Sequence, residues 1–216
     1  PISAVVSLKK LITTGSYDVI HPAGLTILLA AIVTSIVFKK SFCSHICPVG
    51  FVSEMTSKKG AKLKLHKFIM LVLGMIKYFI LGYFLYAIFS MPVHITEMFI
   101  NSPYNKIADA KMLYFFLNIS STGIAVIVVL LALNFVINGF WCNYLCPYGA
   151  LLGLFSYISP FALKRRSAGC THCALCSKEC PMDIDVHKRP VIRKPSCIGC
   201  RECEKVCPQN CFALNR

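Results

Sequence analysis

Eight of the thirteen cysteines in this 216-residue chain form two near-copies of one pattern. Cys170-x2-Cys173-x2-Cys176-x3-Cys180-Pro181 is followed by Cys197-x2-Cys200-x2-Cys203-x3-Cys207-Pro208. This is the spacing in which three cysteines of one run and the last cysteine of the other hold each [4Fe–4S] cluster of a two-cluster ferredoxin. Thiolates are soft, strongly donating ligands and suit iron. The spacing therefore predicts Cys170, Cys173, Cys176 and Cys207 for one cluster, and Cys197, Cys200, Cys203 and Cys180 for the other. A zinc ribbon would use Cys173, Cys176, Cys197 and Cys200 alone and leave the other four without a role. Two clusters imply one-electron chemistry.

Four more cysteines repeat a different motif about a hundred residues apart: Phe42-Cys43-Ser44-His45-Ile46-Cys47-Pro48-Val49-Gly50 and Trp141-Cys142-Asn143-Tyr144-Leu145-Cys146-Pro147-Tyr148-Gly149. Cysteines at i and i+4 share a helix face, and the Pro and Gly that follow turn the chain. Cys43, Cys47, Cys142 and Cys146 are thus candidate metal ligands. The spacing leaves open a third iron–sulphur cluster, a copper or other thiolate-bound metal, a pair of redox dithiols, or small buried residues that pack helix ends. Trp141, Tyr144 and Tyr148 surround these thiols and can exclude water from them. His45 lies between two of them and reads as an interfacial histidine.

The elements that must position these residues are apolar. Leu25–Phe38, Phe68–Met91 and Thr122–Phe140 carry almost no charge and read as membrane helices of about 20 residues. The first is short, and Val19–Ile20 and Lys39–Phe42 are expected to extend it. Lys39, Lys40, Lys58, Lys59, Lys62, Lys64 and Lys67 crowd the first connection against Glu54, and Lys164, Arg165 and Arg166 follow the third block. The positive-inside rule puts the 39–67 loop and everything after residue 142 on the cytoplasmic face. Lys9 and Lys10 then lie on the opposite side or along an interface. The net charge of +14 falls by about four units if two clusters are bound. Topology accounts for the remainder, so no nucleic-acid partner is expected. Metal-type cysteine spacing favours a reducing compartment over a disulfide framework. The chain opens at Pro1 without a methionine and reads as processed or partial, with an earlier helix missing.

Isolated residues also draw notice. Lys77 sits in the middle of an apolar block, where a charge costs about 2.5–3.5 kcal/mol on insertion scales; it must find a partner, a cavity or the interface. His21 and His94 flank helices, and Cys211 has no assigned partner. Tyr78, Phe79, Tyr83, Phe84, Tyr86 and Phe89 have the spacing of an interfacial belt. Lys164–Gly169 reads as a short basic tether.

With both Cys-x3-Cys-Pro motifs, the helices before them and the double ferredoxin run in view, the chain resembles the NapH, NosR and CcoG family of membrane-bound iron–sulphur proteins. Ser102-Pro103-Tyr104-Asn105-Lys106 and Cys146-Pro147-Tyr148-Gly149-Ala150-Leu151-Leu152-Gly153 also look like segments of NosR-like and YccM-like members. The resemblance implies electron transfer between a cytoplasmic or quinone-side donor or acceptor and a membrane or extracytoplasmic redox partner, as a subunit of a larger complex. The flavin-bearing domain of NosR-like members has no counterpart in these residues.

The expected fold is a mainly α membrane protein: a transmembrane domain (1–163) with at least three helices, and a small C-terminal α+β dicluster ferredoxin domain (164–216). The expected location is the inner membrane of a bacterial-type cell, multi-pass, with lipid, a redox protein or catalytic subunit, and a quinone as possible partners. An oxidoreductase component fits better than a stand-alone enzyme. The alternative is a maturation factor that binds and reduces copper at the Cys-x3-Cys-Pro cysteines.

Overall fold

The computed structural model describes residues 2–16, 22–59, 67–166 and 169–215. Along the chain run α1 (Ile2–Thr14), α2 (Pro22–Phe38), α3 (Ser41–His45), α4 (Pro48–Lys59), α5 (Lys67–Ser90), α6 (Val93–Asn101), α7 (Pro103–Lys106), α8 (Ala108–Leu117) and α9 (Ser121–Val136). A π-helical turn at Trp141–Leu145 leads to α10 (Pro147–Ser156). The remainder holds β1 (Ala162–Arg165), α11 (Leu175–Lys178), β2 (Val191–Ile192), α12 (Glu202–Lys205) and β3 (Phe212–Asn215). The chain divides into two compact units, Pro1–Ala31 with Ile80–Val129, and Ile32–Phe79 with Leu130–Arg216; all thirteen cysteines belong to the second.

In the first unit α1 lies against α6, with Val6, Ile88 and Ile100 as its buried centre. Lys9 is buried there because it completes a helix end. Its Nζ donates to Ile88 O at 2.8 Å and also to Met91 O, taking carbonyls that the last turn of α5 cannot satisfy internally. The Ser102-Pro103 pair starts α7: Ser102 Oγ accepts the Asn105 N–H at 3.2 Å, and proline fills the first helical position.

All three apolar blocks are helical, but their lengths differ. Phe68–Ser90 spans 23 residues at a mean hydropathy of 2.1, long and apolar enough to cross a membrane, and only 11% of its most apolar window is buried. Ala110–Leu117 and Ser121–Val136 reach that standard only as a pair, and they meet at 85°. Pro22–Phe38, with 17 residues, falls short. One spanning helix is therefore present among the described residues, or two if the bent pair is one span, against the three expected.

The short lengths have local causes. Lys39 adopts a left-handed conformation (φ 60°) and ends α2, so Lys39–Phe42 does not extend it. The Ser41 and Ser159 hydroxyls donate to the Phe38 and Val37 carbonyls, both at 2.9 Å, and close that end. Gly139 (φ 63°) sits just beyond α9 and stops it before Phe140. Val19–Ile20 and His21 lie outside the described residues.

The second unit contains an antiparallel sheet in the order β2–β1–β3, with Leu163 opposite Ile192 and Leu214, and Arg165 opposite Phe212. Leu163, Met182, Ile184, Val186, Ile192 and Phe212 are buried around the cysteine loops. Those loops repeat conformation as well as sequence. His172 and Gly199, Ala174 and Arg201, and Asp183 and Asn210 all have positive φ, and each pair is 27 positions apart, as are the cysteine runs. Within the expected tether at Lys164–Gly169, Lys164 is paired on both sides in the sheet, Arg165 pairs with Phe212 and donates its N–H to Pro190 O at 2.7 Å, and Arg166 N–H donates to Cys211 O at 2.7 Å; residues 167–168 lie outside the described residues.

Candidate metal centres

The sheet and the repeated loops bring the eight ferredoxin cysteines together in two groups. Cys180, Cys197, Cys200 and Cys203 line a cavity of about 220 Å³, and Cys170, Cys173, Cys176 and Cys207 line a smaller one of about 20 Å³. Each group holds three cysteines of one run and the last of the other. Among the described residues no three His, Cys, Asp or Glu side chains close on a single metal ion.

The environments of the two groups differ. The larger cavity is walled by Phe38, Phe161, Leu163, Met182, Ile184 and Ile192. Burial there pushes the Cys180 thiol up to about 11, the Cys200 thiol up to about 12, and Cys203 higher still. Lys39 also lines it; the Lys39 Nζ donates to Ile192 O, and burial lowers its pKa. Arg165 and His187 line the smaller cavity, where Cys173 is exposed. Among the described residues the buried Arg165 Nη1 atom has no hydrogen-bond partner, which fits a sulphur acceptor in the cavity that Arg165 lines. Cys211 is buried and donates to Gly169 O at 3.0 Å. It lines the same cavity as a fifth thiol.

The Cys-x3-Cys-Pro repeats have a shared geometry that the motif alone did not disclose. Cys43 sits in α3 and Cys142 in the π-helical turn, while Cys47 and Cys146 stand at the junctions to α4 and α10. Pro48 and Pro147 do more than turn the chain: each opens a helix. The Cys146 Sγ accepts the Gly149 N–H at 3.3 Å. Gly50 and Gly149 let those helices approach the carbonyls of the first cysteines. A Cβ on Gly50 would lie 1.7 Å from Cys43 O, and one on Gly149 3.3 Å from Cys142 O.

Cys43 and Cys142 pack on the same buried cluster as the ferredoxin cysteines. Burial pushes their thiols up to about 11 and about 12, and Cys47 and Cys146 add electrostatically to both. A thiol set of this kind, half-buried and repeated, can bind a thiophilic metal or cluster.

Ser44 couples this turn to the ferredoxin loops, its Oγ donating to Ile198 O at 3.1 Å. Gly199 is needed alongside, because a Cβ there would meet Phe38 O at 3.2 Å. His45 points elsewhere: it is exposed, with Nδ1 2.6 Å from Ser44 Oγ. Tyr148 lies edge-on to Phe42, and burial pushes its phenol up to about 12; Tyr144 is buried beside Phe140. Trp141 is 37% exposed and does not close the site. His94 is exposed.

Two family profiles match this architecture: a 4Fe–4S binding domain over residues 20–67 and 121–166, and a 4Fe–4S dicluster domain over residues 162–208. The first covers both Cys-x3-Cys-Pro motifs and the second all eight ferredoxin cysteines. The chain is thus a ferredoxin-type protein that carries 4Fe–4S clusters.

Among individual proteins it is similar to YccM of Escherichia coli K12, named for a role in electron transport: 38% identical over 202 residues, 91% of this chain and 57% of YccM. The ferredoxin-type protein NapH of Haemophilus influenzae is 26% identical over 176 residues, 79% of this chain and 59% of NapH. An uncharacterized protein of Methanocaldococcus jannaschii is 27% identical over 164 residues, 75% of this chain and 67% of its own length. The chain is similar to these YccM-like and NapH-like iron–sulphur proteins and spans less than two thirds of YccM and NapH. No solved structure matches it.

Proposed function

We propose that this chain is a membrane-bound electron relay. Its ferredoxin segment (164–216) exchanges electrons with a cytoplasmic redox protein, and its Cys-x3-Cys-Pro centre (in 1–163) exchanges them with a quinone or a partner subunit in or across the membrane. The observation that carries the reading is the placement of Cys43 and Cys142 on the buried cluster formed by the ferredoxin loops. Electron transfer falls steeply with distance, so adjoining thiol sets favour a relay over two unrelated metal sites. Iron–sulphur clusters supply one-electron carriers whose potentials follow burial, hydrogen bonding and local charge.

The chain's own residues hold the sites in register. Lys39 and Ser44 fix the turn after α2 to Ile192 and Ile198 of the ferredoxin loops, so the two parts need no diffusive encounter. The exposed Cys173 makes its cluster the entry point from solvent, and the Cys180 group, whose cavity includes Phe38, Lys39 and Ser41, is the inner step.

Membrane residence is supported by the bare apolar surface. Phe79 is 78% exposed and Leu117 75%, on helices that water alone would not tolerate in that state. A cytoplasmic face for the cysteines is favoured by the charge excess of residues 39–67 under the positive-inside rule. Relatives named for electron transport and for a ferredoxin-type role favour the relay over copper maturation.

Stopped-flow reduction in nanodiscs tests the relay. With a soluble protein reductant, the Cys-x3-Cys-Pro centre should fill after the ferredoxin clusters. A Cys200→Ser, Cys203→Ser variant should retain the outer cluster's reduction and leave that centre oxidised. Equally fast filling of that centre in the variant would contradict the relay.

A further inference from the structure

Two lysines of the second unit lie buried where a charge has no obvious anion. Lys40 is 3% exposed and Lys77, midway along the span in α5, is 2% exposed. Among the described residues neither forms an ion pair. The Lys77 Nζ lies 5.2 Å from the centre of the Tyr78 ring, a weak partner for a full charge. The Lys40 ammonium occupies room left by Gly153: a Cβ there would come within 3.0 Å of Lys40 Nζ and within 3.0 Å of Pro195 O. Lys40 is also tied to the first motif through its backbone, since Cys43 N–H donates to Lys40 O at 2.9 Å.

Burial weighs most on both ammoniums and opposes their charge; against it, Cys43, Cys146, Cys142 and Cys197 lie within electrostatic range of Lys40, and Cys146 and Cys142 within range of Lys77, which Lys40 repels. A buried ammonium is costly without a counter-charge, and two that repel one another are costlier. Four neutral thiols supply no anion. A cuboidal cluster on four thiolates carries about −2, which matches two ammoniums.

We infer that Lys40 and Lys77 are the counter-charges of an anionic iron–sulphur centre held by Cys43, Cys47, Cys142 and Cys146, and that they set its potential. The inference rests on the relay reading and gives the mid-span lysine a role within it. Reduction adds negative charge to such a centre, so nearby cations favour the reduced state and raise the potential. The lysines are potential-setting residues and carry no electrons themselves.

The test is an EPR-monitored redox titration of the full chain in nanodiscs, with iron counted on each sample, for wild type, Lys77→Met, Lys77→Arg and Lys40→Met. The expected result is a third centre whose midpoint falls in both methionine variants and is retained in Lys77→Arg. In Lys77→Met the two ferredoxin clusters should titrate as in wild type. If Lys40→Met also loses its ferredoxin signals it has misfolded, and the Lys77 pair decides the matter. A third centre with an unmoved midpoint in Lys77→Met overturns the inference and leaves the relay standing. Wild-type protein with about eight irons and no third signal overturns it too, and removes the membrane end of the relay with it.

Discussion

Arg165 shows how a single residue distinguishes two clusters of the same type. It lines the cavity of Cys170, Cys173, Cys176 and Cys207, and among the described residues its buried Nη1 has no partner. Leaving such a donor unsatisfied costs about 1–3 kcal/mol, more for a charged group, and a cluster sulphur removes that cost. Arg165→Met should therefore lower the potential of this cluster and leave the Cys180 group's potential in place, read by EPR-monitored titration. Coincident potentials in wild type and variant would refute the bond.

A second residue-scale prediction concerns protons. Burial raises Cys43 to about 11 and Cys142 to about 12, so the stripped chain holds both as thiols at neutral pH. The loaded form binds fewer protons, so loading must strengthen as pH rises from about 6 to about 9, with proton release. Iron uptake measured across that range checks the sign. The gathering of the eight ferredoxin cysteines around two cavities was legible in their spacing. Arg165 was not, since only the β1–β3 register brings it to Cys170 and Cys207.

At the scale of elements, the repeated motif works through its glycines. A Cβ on Gly50 would lie 1.7 Å from the Cys43 carbonyl, a backbone atom that cannot step aside. Gly50→Ala should cost roughly 2 kcal/mol or more. It should also empty the Cys-x3-Cys-Pro centre while the ferredoxin clusters remain, as iron content and thermal unfolding in detergent would show. Gly149→Ala, at 3.3 Å from the Cys142 carbonyl, should be milder.

The sequence announced a repeat and a helix face here, but not that each proline starts a helix or that each glycine admits a carbonyl, because those are contacts between successive elements. Helix type was legible in all three apolar blocks. Helix length was not: left-handed Lys39 and Gly139 cut two of them short, and a non-glycine residue in that conformation leaves no sequence signal.

For the whole molecule, the decisive feature is an apolar span that the protein itself leaves bare. With 11% of its window buried, Phe68–Ser90 needs lipid or a partner around it. The expressed chain should stay with the membrane fraction through an alkaline carbonate wash, and release by the wash would contradict a spanning helix. The contrast between apolar blocks and a cysteine-rich C-terminal segment could be read from composition, but the compact unit that joins Ile32–Phe79 to Leu130–Arg216 could not be. The docking of the Cys43 turn on the ferredoxin loops could not, since it depends on the Lys39 and Ser44 hydrogen bonds to Ile192 and Ile198, more than 150 residues away. The most direct measurement of the relay is iron and acid-labile sulphide per chain, on anaerobically purified wild type and on a variant with Cys43, Cys47, Cys142 and Cys146 all changed to serine. A continuous iron–sulphur path predicts more than about eight irons in wild type, falling to about eight in the variant. About eight in both would break the path at the membrane, and fewer than about four in wild type would contradict the ferredoxin clusters themselves.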